Sequence, residues 1–202
     1  MISNEDHERI TKAIRLAEEK TSGEIVCVLA RVSSHATVFP VFAAALVALV
    51  VPWLLVAFTG MPVLRILSVQ VIVFAVLLIV LCIPAVRVAL LPRRARRAIA
   101  HRVAMEQFIN RGIARNVDRS GILIFVSLAE RYARIIADDE IAKRVPQSRW
   151  QVAVDALIAH AREDRIAEGF IVAIELCGQE LAQHFPPTAD NRGKLPDRLY
   201  LI

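Results

Sequence analysis

Polar and apolar positions alternate along most of this chain, but between Val38 and Leu91 the alternation stops and charge nearly vanishes, with Arg65 and Arg87 as the interruptions. Val38 to Phe58 and Ile66 to Val86 are each about 21 residues, which at 1.5 Å per residue is enough to cross about 30 Å of hydrocarbon. Two crossings return the chain to its starting side. Pro40, Pro52 and Pro84 would break soluble helices, but membrane-spanning helices tolerate proline where neighbouring groups satisfy the freed carbonyls. The alternative is a pair of buried helices in a soluble core. That needs an enclosing shell larger than the rest of the chain supplies.

The flanks carry ordinary soluble patterns. Ser3 and Asp6 predict a capping box, followed by Ile10, Ala13, Ile14 and Ala17 at helical spacing, with Gly23 expected as a left-handed helix end. Glu24 to Ala30 is continuously apolar and rich in β-branched residues, which predicts a strand buried on both faces, as in a helix-covered parallel sheet. Arg93 to about Asn116 predicts a long helix with Ile99, Val103, Phe108 and Ile113 as candidate buried positions. Gly121 to Ser127 is a second apolar strand after the turn at Asp118-Arg119-Ser120, and Tyr132 to Ala137 a third, joined to it as a hairpin. A short helix from Asp138-Asp139 stops at Pro146. Ser148 with Gln151 opens the next, where Trp150, Val154, Leu157 and Ala161 form one stripe. The last runs from about Arg165 to His184 and is stopped by Pro186-Pro187. The tail beyond is polar and irregular up to Leu199.

Charge decides orientation. Outside Val38 to Pro92 lie 43 of the 45 charged side chains, so the flanks have a globular composition and the positive mean hydropathy mixes two environments. Arg87, Arg93, Arg94, Arg96 and Arg97 cluster after the second span, whereas the connector between the spans carries Arg65 alone. The positive-inside rule then places both termini and the soluble part in the cytoplasm of a bacterial-type inner-membrane protein. The net charge of +5 concentrates beside the membrane, where anionic headgroups are nearer partners than nucleic acid. These arginines are therefore expected to contact membrane lipids. Cys27, Cys82 and Cys177 match neither a disulfide framework nor a metal spacing. The five histidines do not pair at ligand spacing, and neither a Walker loop nor a G-x-G-x-x-G fingerprint is present.

One topology reconciles these elements. The first strand ends close to the first span, and the Arg93 helix, about 35 Å long at standard rise, carries the chain to the sheet's far edge. The second strand then runs parallel to the first, with the whole hairpin as their crossover. Glu24, Asp118, Asp138 and Asp139, with Thr21 and Ser22, converge on that far edge. Such carboxylates suit Ca²⁺ or Mg²⁺, which prefer oxygen ligands, and a metal there would serve phosphate hydrolysis. Asp118 equally suits a turn, and Asp138 or Asp139 a helix cap. No nucleophilic dyad stands out.

Thr21-Ser22-Gly23-Glu24-Ile25-Val26, Ser120 to Arg131 (SGILIFVSLAER), Ile135-Ile136-Ala137-Asp138, Trp150 and the helix around Gly169 together resemble the TPM domain. That family is named for a thylakoid lumen protein, a photosystem II accessory protein and an acetylcholine-receptor modulator. The resemblance covers about residues 2–37 and 93–187. It implies a compact α/β/α sandwich, here with a two-helix transmembrane hairpin (38–91) inserted after the first strand. Residues 1–37 and 92–187 are then two parts of one domain, and 188–202 a tail. It also implies either an accessory role beside other membrane proteins or a divalent-metal-dependent phosphatase. Here the hairpin replaces the loop after the first strand, so family site residues from that loop are missing. The expectation is a noncatalytic accessory or interaction module, with the phosphatase second.

Overall fold

The structure, a computed structural model, describes residues 2–33, 38–60, 62–83, 86, 91–113, 121–187, 196 and 198–202. It divides into two compact units, one of Met1–Ser33 with Ala98–Ile202 and the other of Ser34–Arg97. Among the described residues the elements are α1 (Asn4–Glu18), β1 (Glu24–Ala30), α2 (Val38–Phe58), α3 (Val63–Cys82), α4 (Arg93–Asn110), β2 (Gly121–Ser127), β3 (Tyr132–Ala137), α5 (Asp139–Arg144), α6 (Gln147–Arg162), α7 (Ile166–His184) and β4 (Leu199–Leu201).

The first unit is an α/β/α sandwich on a four-stranded sheet of order β3-β2-β1-β4. β1 pairs in parallel with β2 over its whole length, Glu24 opposite Gly121 through Ala30 opposite Ser127. All seven residues of each strand are buried. Continuous apolar runs are stable only where helices cover both sheet faces. One face carries Ile25, Cys27, Leu29, Ile122, Ile124, Val126 and Ile135 against α1, α6 and α7, which contribute Ile10, Ile14, Trp150, Leu157, Phe170 and Cys177. The other carries Val26, Val28, Leu123 and Phe125 against α4 through Ala100, Ala104 and Phe108, with Ile113 beyond its end. Ile99 and Val103 of α4 are half-buried; the closest packing falls on two alanines four residues apart, whose small side chains let the helix approach the sheet.

Local chemistry explains the boundaries and corrects three expectations. The capping box forms: Ser3 Oγ accepts from Asp6 N–H, and Asp6 accepts from Ser3 N–H at 3.0 Å. Those bonds hold the Asp6 carboxyl below its ordinary range. Gly23 does not end α1. The helix stops at Glu19, and Gly23 instead donates its N–H to Thr21 Oγ1 at 3.0 Å in a side-chain-closed turn. Ser148 lies inside α6, whose N-cap position is held by Pro146 without a side-chain bond, because proline with φ near −65° pre-sets a first turn. α4 ends at Asn110, short of Asn116, with Gly112 at φ 74° just beyond.

The last residues, placed in the 188–202 tail and given no element beyond Leu199, add a strand. β4 pairs in parallel with β1, Cys27 opposite Leu199 and Leu29 opposite Leu201. Tyr200 is flanked by two guanidiniums, Arg111 at 3.5 Å and Arg198 at 4.7 Å from its ring centroid. A strand of three residues presents too weak a pattern to stand out in sequence, and cation–π contacts join residues far apart in the chain.

In the second unit, α2 contains Pro52, and the two helices hold windows of mean hydropathy 2.7 and 2.8, of which 11% and 6% is buried. Both are long and apolar enough to cross a membrane. Ala44 and Ala48 on α2 and Ile66 on α3 are their buried residues, the small-residue spacing by which spanning helices approach each other. Elsewhere Trp53, Phe58 and Leu64 stand about 80% exposed (79%, 82% and 80%), far beyond what a water-facing helix presents. The second helix starts at Val63, not Ile66, because Pro62 takes the N-cap position and Arg65 enters the first turn. Pro84 and Arg87 lie outside the described residues.

Gly121 opens β2 under Ile113: a Cβ there would fall inside the Ile113 Cγ2 methyl. Gly121→Ala is expected to cost about 1–3 kcal/mol through overpacking. In an Ile113→Ala background the same change should cost much less, a coupling read from denaturation curves of the four variants in detergent micelles.

Candidate functional site

The acidic edge forms at the N-terminal ends of the parallel strands. Glu24, Gly121 and Asp138 occupy one row across β1, β2 and the end of β3, since Glu24 opposes Gly121 and Asp138 N–H donates to Gly121 C=O at 3.0 Å. Both carboxylates are buried, Glu24 at 7% and Asp138 at 6% exposure. Asp138 caps α5, its Oδ1 accepting from Asp139 N–H at 2.7 Å, while Oδ2 is buried with no hydrogen-bond partner among the described residues. Two strand spacings separate Glu24 from Asp138, about 9–10 Å, and Ile113 sits over the glycine between them. Asp139 is exposed in the first turn of α5. Asp118 lies outside the described residues. Among those described, no group of three or more His, Cys, Asp or Glu is placed to hold a metal. Two spaced carboxylates are fewer ligands than the six or so oxygens a hard cation takes, so the described residues alone do not make such a site.

Thr21 and Ser22 serve the frame at this end. Thr21 Oγ1 donates to Phe185 C=O at 2.6 Å and Ser22 N–H to the same carbonyl at 3.1 Å, which ties the start of β1 to the end of α7. Glu18 is buried and its Oε1 accepts Ile25 N–H at 2.8 Å.

The opposite ends of the strands carry a polar cluster that sequence reasoning missed. Ser33, Ser127 and Glu130 are buried at 3%, 1% and 4% exposure. Ser33 N–H donates to both Glu130 carboxylate oxygens at 3.1 Å, Ser33 Oγ donates to Ser127 Oγ at 2.8 Å, and Ser127 Oγ donates to Glu130 Oε2. Leu128 N–H reaches Ala30 C=O at 3.0 Å and Ala129 N–H reaches Arg31 C=O at 3.2 Å. The β2–β3 turn, closed by Arg131 at φ 50°, thus grips the chain just after β1. Glu130 and Arg131 belong to the SLAER run; the available signal was a carboxylate three residues after a strand-ending serine, the spacing of a local side-chain clasp.

Two of the three thiols, Cys27 and Cys177, are buried in the core. Burial pushes both Cys27 and Cys177 well above the ordinary thiol range, and the neighbouring thiol and Glu18 add to the shift at Cys27. Of the arginines, Arg93, Arg94 and Arg97 are exposed at the start of α4, and Arg96 is half-buried.

A four-stranded sheet with a parallel central pair, one antiparallel edge strand and helices on both faces defines an α/β/α sandwich. The family model of the TPM domain matches residues 84–180, and the chain carries a TPM domain. That match takes in α4, β2, β3, α5, α6 and most of α7; β1, which completes the central pair, lies before it. The NMR structure of BA42 protein from the psychrophilic bacterium Bizionia argentinensis sp. nov. is similar, with a TM-score of 0.62 at 19% identity over 100% of this chain and 96% of that one. At that identity the likeness is one of fold. No curated protein matches.

Glu130→Ala leaves the Ser33 N–H and the Ser127 hydroxyl without their buried acceptor. A loss of about 2–4 kcal/mol is expected, read from chemical denaturation followed by Trp150 fluorescence. Glu130→Gln should cost less, because its carbonyl still accepts.

Proposed function

We propose that this is an integral membrane protein whose cytoplasmic TPM domain is a noncatalytic accessory or interaction module for other membrane proteins. The observation that carries this reading is the place of the apolar helices. They enter between two strands that pair in one sheet, so the domain is joined covalently at both ends to a pair of helices long and apolar enough to span a membrane. A domain so held meets partners in or beside the same bilayer, and the association starts from a high local concentration. The arginines Arg93, Arg94, Arg96 and Arg97 supply the charge that retains both termini in the cytoplasm and contacts anionic headgroups.

A reporter fused after Ile202 and active only outside the cytoplasm should stay silent. Activity there would overturn the orientation.

A second reading, a phosphatase dependent on Ca²⁺ or Mg²⁺, draws support from one feature: Asp138 Oδ2 is buried without a partner among the described residues, in the row that includes Glu24 and beside Asp139. If a cation binds there, millimolar Ca²⁺ or Mg²⁺ should raise the melting temperature of the wild type and not of Asp138→Ala, because a ligand of the folded state alone stabilises it by RT ln(1 + [L]/Kd). Unchanged melting in both proteins rejects the metal and phosphatase readings. Co-purification of the same membrane partner with wild type and Asp138→Ala supports the accessory reading; a chain extracted without any stoichiometric partner counts against it.

A further inference from the structure

Beside β3, at the sheet edge away from β4, lies a slot of about 240 Å³ within the first unit, walled by α4 on one side and by α5 and α6 on the other. Neither the acidic row nor the serine–glutamate clasp contributes to it. Its polar side chains are Arg134, His101, Trp150 and, at the exposed start of α6, Gln147, whose amide both donates and accepts. Arg134 projects from β3 and stands exposed, with no ion pair or hydrogen bond among the described residues. His101 of α4 lies 3.4 Å through Nδ1 from the Tyr132 hydroxyl, which places the ring beside the strand. Trp150, 1% exposed, lines the slot, and its Nε1–H is buried with no acceptor among the described residues. Among the described residues no aspartate or glutamate lines the slot, while Met105, Ile136 and Val145 give it apolar walls.

We propose that this slot binds a small organic carboxylate, its head on Arg134 and His101 and its apolar body against Met105, Ile136, Val145 and the Trp150 ring. The volume corresponds to about eight water molecules at ~30 Å³ each, below the 300–1,000 Å³ or so of sites for drug-sized ligands, which sets the ligand at about the size of benzoate. A planar carboxylate matches the guanidinium fork. One fixed positive charge balances a monoanion, whereas a phosphate dianion would be left half-neutralised among apolar walls. This site is independent of the accessory role and of the acidic row.

The chain carries a built-in reporter, because its two tryptophans are Trp53 in α2 and Trp150 in the slot. In full-length Trp53→Phe protein in detergent micelles, benzoate should shift the Trp150 indole N–H resonance saturably, with a Kd of about 1 mM or tighter. Arg134→Gln, a change at an exposed position, should weaken binding about tenfold or more without altering the melting temperature. Benzyl alcohol, which shares the apolar body and lacks the charge, and inorganic phosphate, which has charge and no body, should each bind at least about tenfold more weakly. The proposal is overturned by a non-saturable response to benzoate, by equal affinity in Arg134→Gln, by benzyl alcohol binding as tightly as benzoate, or by phosphate doing so.

Discussion

The parallel pairing of β1 with β2 is the constraint from which the rest of the molecule follows. Parallel neighbours cannot be joined by a tight turn; the chain must leave one end of the sheet and return to the other. Here that return is the whole of residues 31–120, including both apolar helices. Because every residue of both strands is buried, this central pair has no wet face, and α1, α4, α6 and α7 are obligatory covers rather than additions. The two ends of the paired strands acquire different chemistry for the same reason. At the N-terminal ends, backbone N–H groups and helix starts gather acidic residues such as Glu24 and Asp138. At the C-terminal ends, the departing chain is clasped by Glu130.

That clasp explains how an α/β/α sandwich accommodates an apolar insertion without losing register at its border. Ser33 precedes the second unit directly, and its N–H is held by both oxygens of a buried carboxylate whose own turn is bonded to Ala30 and Arg31. Slipping β1 by one residue would exchange the side chains of its two faces and also break this set of bonds. Specificity of register therefore rests on polar groups at the strand end as well as on apolar side chains between.

Most of the fold was legible because its signals are local and long. Strand boundaries at Glu24–Ala30, Gly121–Ser127 and Tyr132–Ala137 match the apolar runs residue for residue, and the spans follow from length and the absence of charge. What escaped was short or non-local. β4 has three residues, and it is held beside β1 by backbone pairing and by Tyr200 meeting Arg111 from a distant part of the chain. Gly23 looked like a helix end by residue type, yet Thr21 closes that turn through its hydroxyl. For the acidic edge, topology correctly brought Glu24 and Asp138 into one row, but the sequence could not reveal that Ile113 would sit over the glycine between them. In the Ser33–Ser127–Glu130 cluster the Ser127–Glu130 pair is local and had a spacing signal, but Ser33 lies 94 and 97 residues from its partners, so its part in the clasp had none.

An insertion this large between paired strands is tolerable on physical grounds. Closing a loop costs entropy that rises with the logarithm of its length, about 0.6 kcal/mol for each doubling. A connection four times longer than a compact crossover therefore adds only about 1.2 kcal/mol if it is flexible throughout. The two helices α2 and α3 occupy much of the connection and reduce its flexible length, so part of that small penalty disappears. Against it stand two strands buried along their whole length, where a single fully buried leucine or isoleucine side chain contributes about 1.5–3 kcal/mol. One such side chain outweighs the added closure entropy, so the sheet loses little by enclosing the hairpin within its crossover.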